Sequence, residues 1–101
     1  MLNTEKTLEN GELFIKLEGR LDTLTSPDFD RELEEMLPGV ERVTMDFAAL
    51  EYISSAGLRT LLAAQQYLED NALPNLKVLN INDEIRETFE LTGFDNMLDI
   101  E

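Results

Sequence analysis

The chain has 101 residues, 43% of them hydrophobic and 30% charged, which suits one packed domain over residues 1–101 and leaves no room for a second core. Cysteine and histidine are both absent, so disulfides, thiolate nucleophiles, imidazole bases and the usual zinc or haem ligand sets are excluded. Eight Lys and Arg against 22 Asp and Glu give a net charge of −14; nucleic acid and anionic lipid both demand a basic footprint, so basic proteins are the better candidate partners.

Met1-Leu2-Asn3-Thr4-Glu5 lacks the positive-then-apolar layout of a signal peptide. No apolar run approaches the length needed to span a bilayer, so the expectation is a cytoplasmic protein with no direct membrane insertion. Asn10-Gly11 is a strong hairpin signal, because both central residues of a type I′ turn need positive φ. It predicts a polar edge strand over residues 4–9 and a second strand in which Leu13, Ile15 and Leu17 share one face. Residues 19–25 read as a loop. Ser26-Pro27-Asp28 then reads as a helix start, with Ser accepting from free amides and Pro at the first helical position. Phe29, Leu33, Met36 and Leu37 form its apolar stripe, and Pro38-Gly39 ends it.

Val43, Met45 and Phe47 mark the next strand, followed by a short loop and a helix beginning near Ser54 or Ser55. Leu58, Leu61, Leu62 and Leu68 carry that helix to about Asn71, and Pro74 closes it. Residues 76–81 predict a short strand, and a third helix runs from about Asp83 to Gly93 with Ile85 and Phe89 inward. Residues 96–100 add a final strand. The expected fold is therefore α/β: a four- or five-stranded mixed sheet with an N-terminal antiparallel hairpin and about three helices on its faces. Its sheet-facing set comprises Leu13, Ile15, Leu17, Phe29, Leu33, Val43, Met45, Leu61, Leu62, Val78, Ile85 and Phe89.

Two adjacent hydroxyls, Ser54 and Ser55, fall where the second helix begins. On spacing alone the first reading is structural: one serine caps the helix and the other is a spare neighbour. A nucleophile elbow fails, since a G-x-S-x-G pattern centred on Ser55 would put its first glycine at Ile53. A serine nucleophile also needs a base, and the lysines are only Lys6, Lys16 and Lys77. No catalytic residues, no metal and no cofactor are expected, and the chain reads as a non-enzyme.

The whole segment Asp46-x5-Tyr52-Ile53-Ser54-Ser55-Ala56-Gly57-Leu58 resembles the motif of STAS domains, in particular bacterial anti-sigma factor antagonists. In register with that motif, Ser55 takes the place of the serine that the family phosphorylates, and Ser54 stands where the family usually has Asp. Leu17-Glu18-Gly19-Arg20-Leu21-Asp22 is similar to the family's Gly-x-Leu-Asp loop, and Thr92-Gly93-Phe94 resembles its helix-ending glycine.

The resemblance implies a regulatory module of transcription. It would sequester an anti-sigma factor that is also a serine kinase of GHKL type, be phosphorylated on Ser55 (Ser54 as second choice), and be restored by a PP2C-type phosphatase. Asp22, Thr23, Tyr52, Ser54, Ser55, Gly57, Leu58 and Arg59 are the expected partner-binding residues. Arg59 weighs evenly between a partner contact and a helix former on an exposed face. The alternative implied by the same family is an accessory subunit of a membrane transport assembly, such as a lipid-transport ABC system, held as a permanent structural partner.

Overall fold

The computed structural model describes residues 1–101. At the hairpin, Asn10 and Gly11 adopt φ of 51° and 79°, the double positive that joins β1 (Leu2–Glu9) to β2 (Glu12–Leu21). The remaining elements are α1 (Ser26–Met36), β3 (Arg42–Ile53), α2 (Ser55–Asp70), β4 (Lys77–Leu79), α3 (Asp83–Thr92), a single 3-10 turn at Phe94–Asn96 and β5 (Asp99–Ile100). The five strands lie in the order β1-β2-β3-β4-β5, antiparallel between β1 and β2 and parallel thereafter.

Ile15 of β2 pairs with Met45 of β3, and Met45 with Val78 of β4, which puts all three on one face of the sheet. Each is fully buried, whereas Lys16 on the opposite face is exposed and Asp46 half-buried. The helices therefore cover one face of the sheet rather than both, which corrects the expected placement. Topology explains it: crossovers of one hand that always step to the next strand in the same direction return every helix to the same side. That single apolar layer joins Leu13, Val43, Phe47, Phe29, Leu33, Leu61 and Phe89 into one core, in which burial of each large side chain is worth about 1.5–3 kcal/mol. Leu62 alone of the expected sheet-facing set is half-buried. Its place on the helix is taken by Ala64, Gln65 and Leu68, because the helix presents the 57-61-64-68 stripe inward.

Further boundaries depart from expectation: β1 starts at Leu2 rather than residue 4, and β5 covers only Asp99–Ile100 because Asn96 lies in the 3-10 turn. The second strand runs on to Leu21, and the third runs through Ile53 where a short loop was expected, because these ends pair with each other as far as Leu21↔Ile53. That pairing passes two register shifts, between Lys16 and Glu18 and between Gly19 and Arg20. In β3 the buried positions accordingly change spacing, from Val43, Met45 and Phe47 to Leu50 and Ile53. Ladder pairing in β4 is confined to Lys77–Leu79, since Asn80 turns the chain away at φ 59°. No helix is long and apolar enough to cross a membrane.

Candidate functional site

The C-terminal ends of β2 and β3 come together because the Ser54 amide donates to the Leu21 carbonyl at 2.9 Å. This bond sets the β2–α1 turn, with Asp22 and Thr23, beside the β3–α2 junction that carries the serine pair. Gly57 makes the approach possible. A Cβ there would lie 2.8 Å from Ile53 Cγ1 and 2.9 Å from the Leu21 carbonyl oxygen, closer than side-chain and backbone atoms tolerate without movement. Gly57 is buried and Leu58 is 9% exposed, so both act from inside the helix–sheet contact.

The two serines have separate tasks. Ser54 is extended (φ −96°, ψ 175°), and its side chain accepts from the Gly57 amide at 3.3 Å, which makes it the N-cap of α2. Ser55 is the first helical residue; its side chain is exposed and its hydroxyl makes no hydrogen bond within the chain. Ser54→Ala should therefore lose about 1 kcal/mol of stability, whereas Ser55→Ala should stay within about 0.5 kcal/mol of wild type. Urea titrations of the two variants check this ordering, and equal losses would mean that both hydroxyls cap.

Asp22 organises the neighbouring turn. Its Oδ1 accepts from the amides of Leu24 (3.0 Å) and Thr25 (3.1 Å) and from the Thr25 hydroxyl (3.2 Å). Ser26 is not the acceptor cap that its position suggested: Thr25 is the N-cap residue, and the buried Ser26 hydroxyl instead donates to the Asp22 carbonyl at 2.6 Å. Because the Phe29 amide bonds to the Thr25 carbonyl, the helix already includes Ser26, whose hydroxyl bonds backward into the turn, while the Asp22 carboxylate takes the Leu24 and Thr25 amides ahead of the helix.

The Thr25 amide is the main cause holding the Asp22 carboxyl below its usual range; desolvation opposes it, and the Leu24 amide, the Thr25 hydroxyl and the chain's N-terminal ammonium act in the same direction as Thr25. A carboxyl depressed in the folded state stabilises the fold above its unfolded pKa, and that contribution disappears as pH falls through the folded value. Thermal melts of wild type should thus fall more steeply on acidification below about pH 5 than melts of Asp22→Asn. Parallel curves would remove the linkage.

Arg20, a residue without a motif of its own, joins the site through register, since β2 and β3 pair Arg20 with Tyr52. Its guanidinium sits 4.3 Å from the Tyr52 ring centroid, and its Nε lies 3.9 Å from Asp22 Oδ2. Such stacking holds the ring at the surface, where Tyr52 remains 39% exposed. Thr23 and Arg59 are exposed as well and share a shallow hollow between α1 and α2 with Ala56. Arg59 lies one turn after Ser55, on the same side of α2. The outer surface of this end of the molecule thus presents Thr23, Tyr52, Ser55 and Arg59, with Asp22 and Ser54 half-buried behind them.

The sequence matches the family described as "Mlab, STAS domain" over residues 5–99. BtrV of Bordetella bronchiseptica, to which anti-sigma factor antagonism is ascribed, is 33% identical over 86 residues, covering 84% of this chain and 73% of that protein. The anti-sigma-B factor antagonist of Staphylococcus aureus is 27% identical over 100 residues, covering 98% of this chain and 92% of that protein. The Bacillus cell fate determinant SpoIIAA in its phosphorylated form has the same fold, with a TM-score of 0.76 at 19% identity over 100% of this chain and 91% of that one. A sulfate transporter family protein of Wolinella succinogenes shares it too, with a TM-score of 0.77 at 14% identity over 94% of this chain and 80% of that one.

Proposed function

Since the chain belongs to the STAS domain family, we propose that it is an anti-sigma factor antagonist, a regulatory module that sequesters an anti-sigma factor and releases it when Ser55 is phosphorylated. The partner is a serine kinase of GHKL type that modifies the antagonist it binds, and a PP2C-type phosphatase resets the cycle. The observation that carries this reading is the division of labour at the start of α2: Ser54 caps the helix, leaving Ser55 exposed with its hydroxyl free. A kinase can modify such a hydroxyl without dismantling the fold.

Electrostatics at that position supports a switch. The first amides of a helix have no intrahelical partner and sit at the positive end of the dipole, where a phosphate is welcome. The first turn of α2 holds no acidic residue to repel it, and Arg59 lies one turn on. For the partner the consequence is opposite: about −1.5 to −2 charges and three acceptor oxygens arrive at a surface shaped around a neutral hydroxyl. The names of the Bordetella and Staphylococcus relatives agree with this role.

The test is to incubate the chain with ATP and the anti-sigma kinase encoded in the same genome, and to map the product by mass spectrometry. Phosphate on Ser55 is the expected result, and phosphate on Ser54 alone would take Ser55 out of the switch. A permanent accessory subunit of a membrane transport assembly is the second reading, favoured by the fold shared with the Wolinella protein. It predicts a complex with a permease or ATPase that Ser55→Asp leaves intact.

A further inference from the structure

We propose that the hollow between Tyr52 and the outer face of α3 is a second contact of the same partner surface, and that it takes an aliphatic side chain flanked by lysine or arginine on the anti-sigma factor. The inference rests on the antagonist reading and adds to it the face of α3 and the chemistry of what docks there. Glu84, Glu87, Thr88 and Leu91 recur at i, i+3, i+4 and i+7, so they form one stripe along α3. Buried Ile85 and Phe89 fasten the other side of that helix to the sheet. Together with Tyr52 and Ile53 the stripe and Ile85 line a hollow of about 320 Å³.

Its apolar wall is unusual for where it stands. Leu91 is 81% exposed, the one large hydrophobic residue on the solvent side of α3, and Tyr52 faces it from the end of β3. A lone exposed leucine is ordinary, but one that walls a concavity with an aromatic ring offers a pocket for an aliphatic side chain. The rim carries the Glu84 and Glu87 carboxylates, and neither takes part in an ion pair within the chain. Free carboxylates around an apolar floor select a basic flank on whatever enters, in keeping with the net charge of −14. Tyr52 makes the surface continuous: Arg20 stacks on its ring, two residues further along the chain is the cap of the serine helix, and the ring lines the hollow.

Calorimetric titration of the full chain against the anti-sigma kinase of its own genome tests this with two variants, Leu91→Ser and Glu87→Lys. Both side chains are exposed, so the variants should melt as wild type does. Leu91→Ser is expected to bind about tenfold more weakly. Glu87→Lys should also weaken binding about tenfold at low salt, with the deficit shrinking as ionic strength rises. Wild-type affinity in both variants would overturn the inference while leaving the antagonist reading in place. Failure of the unmodified chain itself to bind the kinase would overturn the antagonist reading and this inference with it.

Discussion

A Ser55→Asp chain should bind its anti-sigma factor more than about a hundredfold more weakly than wild type, a difference of about 3 kcal/mol. It should nevertheless remain folded. Both halves of the expectation come from the same geometry. Ser55 is exposed at the first position of α2 and bears no part of the cap, which belongs to Ser54. A carboxylate in the first turn interacts favourably with the helix dipole, by about 0.3–1 kcal/mol, so the substitution should raise the melting temperature slightly or leave it unchanged. In the proposed interface the same charge would be stripped of water against a surface matched to a hydroxyl, and an unpaired buried charge is far costlier than an unpaired hydroxyl. Titration of wild type, Ser55→Ala and Ser55→Asp against the kinase separates charge from loss of the hydroxyl. Ser55→Ala should bind nearly as wild type does and resist phosphorylation. Equal affinities for wild type and Ser55→Asp would end the switch mechanism and leave a binding module without one.

Phe89→Ala should cost about 3–5 kcal/mol of stability, enough to remove a large part of what a domain of this size possesses. Phe89 is fully buried, edge-on to Phe47 of β3 at 6.5 Å between centroids and 6.1 Å from the ring of Phe94 in the 3-10 turn. Truncation removes the apolar area and also leaves a cavity that neighbours held by strand pairing can fill only in part. At about 4–8 °C per kcal/mol for a small domain, the melting temperature should drop by on the order of 20 °C. Chemical denaturation of Phe89→Ala, Phe47→Ala and the double variant gives the coupling between the rings, expected at about 0.5–1.5 kcal/mol. A loss below about 1 kcal/mol in Phe89→Ala would mean that α3 is not fastened to the sheet through this side chain. The result bears on function because α3 carries Leu91 and Glu87, and a loosened helix blurs the hollow they line.

What the sequence determined by itself is what short-range chemistry specifies. Asn10-Gly11 dictated a hairpin because few other pairs accept two positive φ angles in succession. Asn82 and Gly93 bracket α3 as an amide-accepting cap and a left-handed stop at φ 80°. Alternation in Leu13, Ile15, Leu17, Val43 and Met45 identified the buried face of the sheet before any strand was placed beside another. The serine pair was likewise legible as a helix start, since free amides there call for an oxygen acceptor. Tertiary structure decided the rest. Whether α2 began at Ser54 or Ser55 depended on how far β3 stayed extended, and that was set by Leu21 pairing with Ile53 across two register shifts. The same pairing stacked Arg20 on Tyr52, a contact between residues 32 positions apart that no local spacing encodes. The turn before α1 is the exception, set locally: the Asp22 carboxylate accepts from amides only two and three residues on. The placement of every helix on one side of the sheet and the exposure of Leu91 beside Tyr52 were likewise tertiary. Caps, turns and amphipathic stripes are determined by residues within about four positions of one another, whereas register and layering depend on free energies gained only when distant strands pair.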